Sequence, residues 1–128
     1  MNLWWLASGI LCLVTALVHT VAGHFDPVVP FLRTELEATA KATLHACWHM
    51  VTVTLFLSAL VLLGVGLSPG VAGARLLAAF ISGLYVLYSI VFLVIGARRF
   101  GWRLLRLPQW TLLLPIGVLA SVGAFATD

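Results

Sequence analysis

The sequence predicts an all-α fold: a polytopic membrane protein with four transmembrane helices in an up-down antiparallel bundle. Three observations predict it. Of 128 residues, 62% are hydrophobic and 9% charged, against roughly 45–50% and about 25% in an ordinary soluble domain. The mean hydropathy of +1.14 is more apolar surface than a water-soluble core of this length can hide. The apolar residues also fall into four stretches, each near the ~20 residues a helix needs to cross ~30 Å of hydrocarbon. Four such spans take about 80 residues, so a single transmembrane domain over 1–128 is expected, with short loops and no second domain.

The first helix is expected from about 3 to 22. It is uncharged, and Trp4 and Trp5 open it, where indole rings favour the headgroup boundary. No basic residue precedes it, as a secretory signal would require, so a retained span is expected. Gly23 is the expected stop. Pro27 and Pro30 should prevent a regular helix in the connector from His24 to Arg33. The second helix, about 35–63, opens on a capping box in which Thr34 is the cap and Glu37 sits three residues on. A pattern of roughly 30 residues makes ~45 Å of helix at ~1.5 Å per residue, longer than the hydrocarbon. Its first turns, with Glu35, Glu37 and Lys41, should therefore project beyond a boundary near Leu44. Gly64, Gly66, Pro69, Gly70 and Gly73 mark the next turn. The third helix is expected over 71–97, ending on Arg98 and Arg99. The fourth is expected over 108–126, with Pro115 as a kink. In it, Gly117, Ala120, Ser121 and Ala124 have the spacing of a close helix contact.

Charge orients the spans. Net charge is +3 and the pI about 9.4, but the basic residues stand beside apolar helices. Arg33 and Lys41 lie between the first two spans, Arg98, Arg99, Arg103 and Arg106 between the last two, and only Arg75 lies opposite. The positive-inside rule makes loops 1–2 and 3–4 cytoplasmic and both termini external, in a multi-pass protein of the cell inner (plasma) membrane. The expected partners are the lipid bilayer and a homo-oligomer or larger membrane complex. Basic and aromatic residues do not interleave as on a nucleic-acid surface, so no nucleic acid is expected. Anionic headgroups are a second use for the arginine loop.

Cys12 and Cys47 lie inside predicted helices without CxxC spacing, and both are expected as buried free thiols. The histidines carry the chemistry. His19, His24, His45 and His49 all fall at one end of the first two helices. His45 and His49, at i and i+4, put two imidazoles on one helix face, a spacing suited to a first-row transition metal ion. At ~100° per residue, Glu37, Lys41, His45, Trp48, His49 and Thr52 share a third of the second helix. Ser8, Cys12, Thr15 and His19 form a stripe on the first, and Ser82, Tyr85 and Ser89 on the third. Polar side chains turn away from lipid, so these stripes should converge inside the bundle.

The leading expectation is a metal site of His19, His45 and His49, with His24, Asp26 or Glu37 as a further ligand. A haem between His19 and His45 or His49 is the other form of it. Trp48 would then wall the pocket, Lys41 or Arg33 would meet a propionate, and Thr15 would lie on the adjoining stripe. One rival is a non-catalytic structural or accessory subunit whose histidines only satisfy helix-end polarity. Another is an oligomeric small-molecule or ion carrier, in which imidazole titrates near neutrality. The spans hold no acidic residue in mid-membrane, which argues against an antiporter built on a buried carboxylate. No phosphate-cradling glycine loop or Ser-His-Asp arrangement is present, and no reaction is assigned.

Overall fold

A computed structural model of the chain describes residues 1–125, and it is all-helical among them. Helix α1 is Leu3–Gly23, a π-turn follows at His24–Val28, and α2 is Val29–Leu32. Helices α3 (Ala38–Leu67), α4 (Ala74–Phe100) and α5 (Trp110–Phe125) complete it, with a 3₁₀ turn at Leu104–Arg106. Three stretches, Leu3–Leu32, Ala38–Leu67 and Ala74–Phe100, are long and apolar enough to cross a membrane. Helix α5 is apolar but has 16 residues, about 24 Å at ~1.5 Å each.

The helix ends correct several expectations. Gly23 does not stop the first helix, which runs on to Leu32. The prolines are accommodated rather than excluded: Val29 N–H donates to His24 O across a π-turn, and the widened turn relieves the crowding Pro27 would cause in a regular α-helix. Pro30 falls in the first turn of α2, where a missing N–H costs nothing. The second predicted helix, α3, begins three residues late. Thr34 is not its cap, because its hydroxyl donates to Phe31 O (2.7 Å) and closes off α2. Glu37 is itself the cap, accepting from Thr39 N–H (2.9 Å) and Ala40 N–H (3.0 Å). Helix α3 also passes through Gly64 and Gly66 before stopping at Ser68. The turn to α4 falls at Gly73, with φ of 84°, a left-handed conformation open to glycine. Helix α4 ends at Gly101, φ 58°. The predicted end of the fourth helix, residue 126, lies outside the described residues.

Packing inverts the pattern of a soluble protein. Large apolar side chains face outward: Leu76 is 75% exposed, Phe80 67% and Leu60 65%. The interior holds Ser8, Thr15, Ser58, Ser82 and Ser89 with Cys12, Ala16, Ala59, Ala78 and Ala120. Lipid is as apolar as leucine, so helices associate through close packing of small residues and interhelical hydrogen bonds. A Cβ on Gly9 would lie 2.9 Å from Leu63 Cγ, and one on Gly66 2.9 Å from Leu6. Rising numbers in α1 thus meet falling numbers in α3, and Cys12 meets Leu55 further along.

Helix α5 contributes few polar side chains and is held by its carbonyls. Asn2 Nδ2 donates to Gly123 O (3.0 Å), Trp5 Nε1 to Ala120 O (3.2 Å), Ser8 Oγ to Ile116 O and Ser82 Oγ to Gly117 O (both 2.8 Å). Interhelical bonds of this kind average about 0.6 kcal/mol each in a membrane protein, so the four together are worth about 2 kcal/mol. The strong helix contacts are α1 with α3, α4 with α5, and α1 with α5; the contact of α3 with α4 is thin.

Helices α1 and α3 enter the core over only part of their length. Every buried residue of α1 lies between Trp5 and Ala16, and every one of α3 between Leu55 and Gly66. From Ala38 to Thr54, α3 buries no residue.

Candidate functional site

Two polar junctions form, one in the core and one at the far end of α1 and α3. In the core, Cys12 Sγ lies 3.3 Å from Leu55 O and 3.2 Å from Tyr85 Oη. Ser58 is buried on α3 near Tyr85, and Ser89 Oγ donates to Tyr85 O (2.7 Å). The stripes of α1 and α4 therefore converge as the sequence indicates. Their meeting point is a closed hydrogen-bonded knot of Cys12, the Leu55 carbonyl and Tyr85, with Ser58 nearby, and it contains no histidine. Ser58 escapes the sequence reading because it lies outside the polar stripe assigned to its helix. Thr15, a candidate cofactor residue, is buried beside the knot and donates to Leu11 O (2.8 Å) within its own helix.

The second junction is built on Trp48. Its indole stacks on the His19 imidazole, with ring centroids 3.7 Å apart and planes at 18°. Its carbonyl accepts from Thr52 Oγ1 (3.2 Å) and faces His19 Nε2 at 3.4 Å. A carbonyl only accepts, so this contact selects the tautomer with the proton on Nε2 and leaves Nδ1 as the lone-pair nitrogen. Gly23 makes room for the indole, since a Cβ there would run into Trp48 Cη2 and Cζ2. The glycine that reads as a stop signal is thus a packing position.

His45 and His49 stand beside this stack, with ring centroids 4.8 Å apart. His45 is half-buried and His49 exposed. His24 is exposed on the π-turn, edge-on to its neighbour Phe25. Lys41, expected to meet an anionic group, donates to Leu32 O (3.1 Å), where an ammonium complements the carbonyl end of α2. Glu37 holds the start of α3, and the amide donors of Thr39 and Ala40 keep its carboxyl below the ordinary glutamate value.

Of the four histidines expected at one site, His45 and His49 stand side by side. Among the described residues no group of three His, Cys, Asp or Glu side chains is placed to hold a metal ion. Helical phase brings His45 and His49 together, but His19 is taken by the indole and His24 stands on the π-turn against Phe25. Cys12 is buried as expected, whereas Cys47 is exposed. The small residues of α5 do make a close contact: a Cβ on Gly117 would lie 2.9 Å from Val86 and 3.0 Å from Ser82 O. Comparison with protein-family models, curated proteins and solved structures finds no match. The fold and its outward apolar surface define an all-helical protein of membrane type.

Proposed function

We propose that the chain is a four-span, up-down integral membrane protein of the inner membrane with a binding role. Its binding face is the uncovered half of α3, where His45 and His49 together take a first-row transition metal ion. The observation that carries this reading is the imidazole pair, 4.8 Å between ring centroids, on a stretch of helix that buries no residue. Neutral imidazole is a good ligand for zinc, copper and nickel. Two histidines are half of a tetrahedral set, so water or a donor from another chain would complete it. Helix α5, although short, packs along both α4 and α1, which supports a fourth span. Haem is the weaker form of the proposal, because the His19 ring is covered by Trp48 on one face and its Nε2 faces a carbonyl.

Metal analysis of the detergent-purified protein after equilibration with zinc or copper tests this. The wild type is expected to retain about one ion per chain or per pair of chains, and a His45→Ala/His49→Ala double variant to retain none. His19→Ala should leave metal content unchanged. No retention by the wild type, or equal retention by the double variant, rejects the site. That result favours the second reading, a non-catalytic accessory subunit. The stack of His19 on Trp48, which ties α1 to α3, and the Lys41 contact to Leu32 O, which ties α3 to α2, support it.

A further inference from the structure

The connection between α4 and α5, residues 101–109, is unlike any other part of the surface. It contains Arg103 and Arg106, and α4 ends on Arg98 and Arg99 just before it. No carboxylate pairs with any of these four arginines among the described residues. Trp102, Arg103, Leu104, Leu105, Arg106 and Trp110 line an open hollow of about 640 Å³. The Arg106 guanidinium sits over the Phe100 ring, 5.7 Å from its centroid, which fixes one charge at the rim. Trp102 is 99% exposed, as an indole seated among headgroups would be. Trp110 opens α5, and its Nε1 is buried with no hydrogen-bond acceptor among the described residues. A buried indole N–H ordinarily finds a partner.

We propose that this hollow binds the phosphodiester headgroup of an anionic phospholipid. Arg103 and Arg106 supply the charge, and the Trp110 ring forms part of the wall. Leu104, Leu105 and Trp102 line the apolar approach for the upper acyl chains. The arginines lack an internal counterion, and arginine suits phosphate by its fork of donors. The site is independent of the histidine pair.

The test uses the full chain in detergent and reads lipid retention by native mass spectrometry. The probes are dioleoylphosphatidylglycerol, dioleoylphosphatidylcholine and inorganic phosphate. The wild type is expected to hold the anionic lipid in clear preference to phosphatidylcholine, with inorganic phosphate a poor competitor. Arg103→Gln/Arg106→Gln should weaken that retention about 30-fold, the effect of two arginines at an anionic surface. The control Arg98→Gln/Arg99→Gln removes the same charge outside the hollow and should keep most of the binding, with helix content checked by circular dichroism. Equal retention of the two lipids overturns the proposal. So does an equal loss in the control, which would mean diffuse attraction, and so does full competition by inorganic phosphate, which would mean a free-anion site.

Discussion

Trp48 gives three surfaces to one junction: an indole face to His19, a ring edge to Gly23 and a carbonyl shared by Thr52 and His19. None of these is visible in a spacing rule. The sequence marks Trp48 and His19 as residues of one polar end, but a glycine that admits an indole reads like a glycine that ends a helix. Only the position of the neighbouring helix separates the two. The same distinction yields a prediction for α4 and α5. Gly117→Ala puts a methyl group against Val86 and the Ser82 carbonyl, and backbone atoms cannot yield as a flexible side-chain end can. A loss of about 1–3 kcal/mol is expected in detergent-unfolding measurements, as for other overpacked interiors. Gly83→Ala meets nothing within 4 Å, and it should be neutral or add up to about 1 kcal/mol through helix propensity. Equal effects of the two would mean that α4 and α5 do not approach as closely as described.

At the scale of elements, the apolar runs were legible and their ends were not. Hydrophobic length locates α1, α3 and α4 because lipid demands it. The ends depend on which of several polar groups finds a backbone partner first. Thr34 and Glu37 fit a capping box, yet Thr34 closes the turn before it and Glu37 caps alone. This cap has a pH dependence with a definite sign. The carboxyl is held below the ordinary glutamate value by the N–H donors of Thr39 and Ala40. Its stabilisation of the first turn of α3 is therefore complete above the ordinary value, about 4.3, and is lost as pH falls through the depressed one. Amide protection factors at Thr39 and Ala40 should be flat from pH 7 down to about 5 and should decline below that. In Glu37→Gln, whose side chain does not ionise, the decline should vanish. A decline that persists in Glu37→Gln would assign it to another group.

Across the whole molecule, α1 and α3 are packed into the bundle along one half of their length and bury little along the other. Composition foretells lipid as the solvent, and polar stripes foretell a polar interior. Neither foretells that α1 and α3 bury residues only as far as Ala16 and Leu55, because the polar first half of α3 still carries Leu44, Met50 and Val51, and apolar residues alone do not say what covers them. The two thiols sample the two halves. In detergent, N-ethylmaleimide should modify Cys47 and leave Cys12 untouched until the protein unfolds; rapid labelling of both would contradict the closed knot around Tyr85. One arrangement described above also bears on biogenesis. Asn2, Trp5 and Ser8 find their acceptors on α5, more than a hundred residues later. The first helix therefore enters the bilayer carrying donors whose partners have not yet been synthesised. A chain that stops before Ile116 leaves those three donors without the acceptors they have in the folded protein.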